Sequence, residues 1–323
     1  AITSDTNSHR PEVYEAIKRV TFPAGAVESQ LMAGKPAAAD AAQLLSVTGD
    51  IWYATRDNIF GKERAWLNLL LRHCNVSCDV LSEDDLATIL PRYAMLFATD
   101  AHLKRSALPH LVKWVRDGGV LYLGAGALAR DEFDQPLGLD EALNLHREPL
   151  DLQADPGRSE YEMRRLKELD SFEGMPLFCG TQKPYCQTFP CGKGKTIVAG
   201  FFPAISYIAT SERAEGADHS TLSFNAAHRA WIQKILAEGG LSPRLTTDNY
   251  RVEANWIQSP RADLVALSNW TGCERTVTLE LAHAPAYRDV SSVTGKILST
   301  KTNGGALRIQ VTIRAGDWLQ LER

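Results

Sequence analysis

The chain has 323 residues, 44% of them hydrophobic and 23% charged, with a formal net charge of −4. This length admits two domains, and the composition is that of a globular protein. Without a polybasic run, or an apolar run near the ~18 residues a membrane helix needs, nucleic acid and membrane are set aside as main partners. The polar opening, Ala1–Arg10, lacks Met. It reads as the start of a processed or excised chain, and cytoplasm and export both stay open.

In chain order, residues 11–20 predict a short helix with Pro11 in its first turn and Val13, Ile17 and Val20 on one face. A second weak helix is expected over 27–33, so that 1–39 serves as a linker or brace. From Ala41 strand and helix alternate. Strands are expected at 41–46, 77–81, 93–99 and 120–123. Helices are expected at 62–73, with Trp66, Leu69 and Leu70 inward, and at 104–117, stopped by Gly118-Gly119. Ser82 and Asp85 have the spacing of a helix cap. Short connections between such elements predict a flavodoxin-like, doubly wound, mostly parallel sheet.

Residues 130–183 read as a long excursion over that sheet, with helical character at 159–169. A hairpin over 185–189 and 195–201 follows. A closing helix over 223–238 then places Phe224, Ala227, Trp231 and Leu236 on one side. The α/β domain is thus expected over 40–245. Beyond it, short alternating segments at 251–257, 264–269, 276–281, 287–290, 296–300, 307–313 and 318–321 predict an all-β antiparallel sandwich over 246–323. Trp256, Trp270 and Trp318 are expected in its core.

The six cysteines are too dilute for a disulfide scaffold. Cys74 and Cys78 beside His73 fit zinc spacing poorly, so no metal and no cofactor are expected. Cys186 and Cys191 flank the hairpin turn, where they could pair in an oxidising compartment.

The most informative stretch is Gly118-Gly119-Val120-Leu121-Tyr122-Leu123-Gly124-Ala125-Gly126-Ala127. It reads as a buried strand ending in a glycine-lined turn, at the edge where open α/β sheets bind ligands. A hydrolase or amidotransferase would carry Ser or Cys there; this chain carries Ala125 and Gly126.

Three stretches give the α/β half a family likeness. They are Tyr93–Asp100 with the helix ending Trp114–Gly119, Gly124–Arg130 with Asp131-Glu132, and Gly200-Phe201-Phe202-Pro203. Together they resemble the class I glutamine amidotransferase-like fold. The closer resemblance is to the domain that follows the catalytic barrel in certain bacterial β-galactosidases, where it supports trimerisation. Leu264–Trp270 is similar to the β-domain that ends many glycoside hydrolases. The resemblance covers about residues 40–323.

It implies a non-catalytic portion of a carbohydrate-active protein, acting in oligomerisation and active-site framing. The implied partners are further copies of the chain, as a trimer or dimer, an upstream catalytic barrel, and carbohydrate. Active amidotransferases use a Cys on the elbow and a His-Pro-Glu turn. The matching positions here are the Gly124–Ala127 elbow and Phe202-Pro203-Ala204, so glutaminase chemistry is expected to be absent.

Other polar residues cluster near the carboxyl edge of the sheet. Asp100 and His102 follow one strand, and Arg130, Asp131 and Glu132 follow the elbow. They read either as a polar crevice, with His102 as base or ligand, or as structural groups. In the structural reading Asp100 caps the next helix, His102 lies on the surface, and Asp131 and Glu132 pair with Arg130 or a neighbouring subunit. The crevice reading leaves open a stand-alone carbohydrate hydrolase. Trp52, Tyr53 and Arg56 border the same edge. They read as sugar contacts, which leaves open a sugar-binding module, or as residues buried in an interface or against the excursion.

Overall fold

The computed structural model describes residues 11–54, 58–147, 168–172, 175–178, 185–209, 212–213, 222–224 and 226–323. They form two compact units, one within 39–242 and one joining 11–38 to 243–323. The chain opens with α1 (Pro11–Ala26), α2 (Glu28–Ala33) and the two-residue strand β1 (Lys35–Pro36).

The α/β unit then runs β2 (Ala41–Leu45), α3 (Val47–Trp52), α4 (Ile59–His73), β3 (Cys78–Ser82), β4 (Met95–Ala98), α5 (Leu108–Asp117), β5 (Val120–Leu123) and α6 (Leu139–Leu143). Two short strands, β6 (Glu168–Phe172) and β7 (Met175–Phe178), pair with each other. After them come β8 (Cys186–Cys191), β9 (Gly194–Ala199), α7 (Pro203–Ala209), the pair β10 (Glu212–Arg213) and β11 (Leu222–Ser223), and α8 (Ala226–Glu238).

The main sheet has the order β3-β2-β4-β5-β9-β8. Its first five strands are parallel, and β8 returns antiparallel as a hairpin partner of β9. This is the doubly wound flavodoxin-like order, with its switch point between β2 and β4. Strands β4 and β5 are buried along their whole length, as parallel strands covered on both faces must be. Alternation sorts Met95, Phe97, Val120 and Tyr122 into one core with α4, α7 and α8, and Leu96, Ala98, Leu121 and Leu123 into another with α5.

Gly118, at φ +129°, ends α5 in a conformation that L side chains rarely adopt. At Gly119 a Cβ would stand 2.3 Å from the Trp114 ring, so this strand entry admits no side chain.

Several expectations are corrected. The buried stripe of α4 is Glu63, Leu67, Leu70 and Leu71, and Trp66 and Leu69 pack against the core from half-buried positions. On α8 Trp231 and Leu236 are buried as expected, together with His228, Ile232 and Ile235, while Ala227 is exposed. The helix expected over 159–169 falls largely outside the described residues, and its last two positions lie in β6. Cys186 and Cys191 stand at opposite ends of the same strand, roughly 16 Å apart at 3.3 Å per residue, and both are free thiols.

The second unit contains β12 (Leu245–Thr247), β13 (Val252–Gln258), β14 (Ala262–Asn269), β15 (Arg275–Leu281), β16 (Asp289–Ser292), β17 (Lys296–Asn303), β18 (Ala306–Ile313) and β19 (Gly316–Glu322). Two antiparallel sheets result, β1-β13-β14-β19-β16 and β12-β15-β18-β17. Val265, Leu267, Leu319 and Leu321 of the first share one core with Val277, Leu279, Ile309 and Val311 of the second, which makes the sandwich. Its aromatic expectation fails at Trp270, which is 51% exposed just past the end of β14. Trp256 and Trp318 are only half-buried. Aliphatic residues alternating along the strands fill the interior instead.

Candidate functional site at the carboxyl edge of the sheet

The elbow follows β5. Gly124 donates its amide to Ala98 O (2.9 Å), and Ala127 closes the turn on Gly124 O (3.1 Å). Gly126 has φ +68°. Ala125 is buried among Ile59, Phe60, Ala101, Phe202 and Ile205. The Phe60 and Phe202 rings meet edge to face, with centroids 5.9 Å apart. The place where a nucleophile and its base would face each other is therefore a packed apolar cluster, with Phe202 and Ala204 both fully buried.

Behind it lies a residue that the sequence reading missed. Glu63 on α4 is fully buried, and its carboxylate accepts the amides of Ala204 (3.0 Å) and Ile205 (2.9 Å) at the start of α7. Burial pushes its pKa up to about 8, against the pull of the two amides. The available signal was an acid four residues before Leu67 in the apolar stripe of an amphipathic helix.

The switch point is also filled from within. Asp100 is buried and accepts two hydrogen bonds from Arg64 (2.8 and 2.7 Å) and one from the Ser46 amide (3.2 Å). Arg64 reaches on to Asp50 (2.9 Å). Asp100 thus ties α4 to the end of β2 instead of capping a helix. Burial raises its pKa, with the Arg64 guanidinium opposing. Nearby, the buried Glu83 carboxylate accepts from Thr48 N (2.7 Å), Thr48 Oγ1 (2.6 Å) and Lys104 N (2.7 Å). Arg64 and Glu83 were not singled out in the sequence, because their partners are remote along the chain.

Asp131 pairs with Arg105, not with Arg130. Its carboxylate accepts from Arg105 Nε (3.0 Å) and Nη2, and from the amides of Phe133 (2.9 Å) and Gln135 (2.8 Å). Burial works to raise this pKa, but the donors outweigh it and hold the carboxyl below its ordinary value. Glu132 accepts the Arg105 amide (2.7 Å), and exposed Arg130 donates to Asp134 O (3.2 Å).

His102 is not on the surface: it is 3% exposed. Its Nε2 stands 3.0 Å from Asp134 Oδ1, and its Nδ1 has no hydrogen-bond partner among the described residues. Trp52 lies nearly parallel over the His102 ring, 5.6 Å between centroids at 8°, and Tyr53 meets it edge-on at 5.8 Å. Trp52 Nε1 donates to Glu132 O (3.2 Å) at the start of the expected excursion, yet the residue stays 45% exposed. Val47, Ile51 and Phe133 are exposed on the same part of the unit. Arg56 lies outside the described residues.

The structure thus brings His102, Trp52, Tyr53, Arg130, Asp131 and Glu132 together on one rim, and draws Asp100 into a separate buried network. Among the described residues there is no group of three or more His, Cys, Asp or Glu side chains that could hold a metal ion. No helix among them is long and apolar enough to cross a membrane.

No protein-family model matches the chain, and no curated protein matches it. Solved structures do. A catalytic-mutant form of Gan42B, a GH42 β-galactosidase from G. stearothermophilus, superposes with a TM-score of 0.58 at 13% identity, over 100% of this chain and 46% of that one. A β-galactosidase from Bacillus circulans sp. alkalophilus gives 0.52 at 15% identity, over 88% and 41%. One from Rahnella sp. R3 gives 0.52 at 13%, over 90% and 42%. The fold, an α/β sheet followed by a β-sandwich, is one these enzymes share, and the chain spans less than half of their length.

Proposed function

We propose that this chain is a non-catalytic portion of a glycoside hydrolase-like, β-galactosidase-related protein. In this reading an amidotransferase-like domain over 40–245 and a sandwich over 246–323, braced by 1–39, organise oligomerisation. They also frame an active site supplied by another part of the protein. The observation that carries the reading is the elbow: Ala125 packs in one apolar cluster with Phe60 and Phe202, where the family's catalysis would need a nucleophile and a base. The exposed apolar side chains Val47, Ile51 and Phe133 support a contact surface at the neighbouring rim. The likeness to β-galactosidases supports the carbohydrate class.

Two measurements on the 323-residue chain test this. Sedimentation equilibrium should find an oligomer, and assays with nitrophenyl glycosides and glutamine should find no turnover. Turnover that survives repurification would overturn the non-catalytic reading, and a monomer at all concentrations would overturn the assembly role.

A further inference from the structure

Trp52 differs from the other exposed apolar side chains of the α/β unit. Val47, Ile51 and Phe133 carry no polar side-chain atom that could fix them by a hydrogen bond. The Trp52 indole is held twice, by Nε1 on Glu132 O at 3.2 Å and by its inner face on the His102 ring at 8°. His102 is itself buried and anchored to Asp134. A large aromatic plane is thus fixed against the protein while nearly half of the residue faces solvent.

The polar groups around the supporting His102 are of both kinds. Half-exposed Asp134 offers acceptor oxygens, and exposed Arg130 offers donors close by, since its Nη1 reaches Asp134 O at 3.2 Å. Phe133, 72% exposed, follows the carbonyl that holds the indole. An immobilised aromatic face loses little conformational freedom when covered. With a carboxylate and a guanidinium linked to the His102 on which it stacks, it suits a ligand with one C–H face and a rim of hydroxyls.

We infer that Trp52 is a stacking platform for a pyranose ring, with Asp134 and Arg130 as hydroxyl partners. The sugar class rests on the β-galactosidase-related reading above; the geometry of the platform does not. The occupant is a single sugar ring or the end of a chain, because a single indole face is offered.

The test is an indole N–H NMR titration of the ¹⁵N-labelled full chain with galactose, methyl β-galactoside, lactose, glucose and mannose. The Trp52 signal is assigned with Trp52→Phe, and Trp270, exposed on the other unit, serves as an internal control. The expected result is a saturable shift of the Trp52 signal with at least one sugar, and none at Trp270. Trp52→Ala should weaken binding roughly tenfold, and Trp52→Phe should weaken it less. If Trp52→Ala fails to fold, Arg130→Ala and Trp52→Phe carry the test, because both act at the exposed rim.

A Trp52 signal unmoved by every sugar at saturating concentration overturns the platform. A signal that instead shifts on protein dilution without sugar also overturns it, and makes Trp52 part of a contact between copies. Either result leaves the non-catalytic assembly reading standing, because that reading fails on turnover or on a monomeric state.

Discussion

The carboxyl edge of the α/β sheet has an inside and an outside, built on opposite principles. Inside, the elbow and switch point are closed. Ala125 is covered by Phe60 and Phe202, and Asp100 is taken up by Arg64 and Ser46. Outside, a few residues away, Trp52 is held rigidly and left half open. The fold normally places its chemistry at the inside position. Here that position contributes stability, and the features suited to recognition lie on the rim. A fold-level analogy alone would look for the function at the elbow, where this chain has a packed apolar cluster.

The largest effect on that contrast should come from Phe202→Ala. Opening the apolar cluster should cost about 3–5 kcal/mol in urea unfolding. A cost below about 1 kcal/mol would mean that the elbow is not packed shut. Asp100→Ala should follow, at about 3 kcal/mol, because it leaves the half-buried Arg64 with Asp50 alone. Thermal melts of Asp100→Ala and Asp100→Asn should rank the alanine variant lower or equal.

Glu63 sharpens the comparison through pH. Its folded-state pKa is raised from 4.5 to about 8, so folding favours the protonated acid. The contribution to stability is therefore fully present below about 4.5. It is lost progressively as pH rises towards about 8, at roughly 1.4 kcal/mol per unit. Glu63→Gln should flatten this fall in denaturation curves taken across that window. An unchanged slope would place the proton elsewhere.

Smaller still, Trp270→Ala should change stability by about 0.5 kcal/mol or less, as an exposed side chain should. Ala125→Cys should produce no glutaminase activity at all, because Phe202 and Ala204 cannot take the thiol proton. Release of ammonia from glutamine by that variant would mean that a base reaches the elbow.

The sequence by itself determined the architecture. Apolar runs alternating with helical stripes specified the parallel sheet, and all seven strands expected after Thr246 appear, because both depend on periodicities of two and 3.6 along the chain. It also determined that the elbow holds Ala125 and Gly126, since residue identity at a recognisable turn is a local fact. The tertiary structure alone decided what those turns face. His102, which reads from the sequence as either a crevice base or ligand or a surface residue, is buried against Trp52, Asp131 meets Arg105 at a separation of 26 residues, and Asp100 meets Arg64 at 36. Glu63, a charged residue within an apolar stripe, found its partners 141 and 142 residues away. Such pairings carry no local period, because they depend on which loops the sheet brings to one edge, and a charge finds its counter-charge only after the chain has folded.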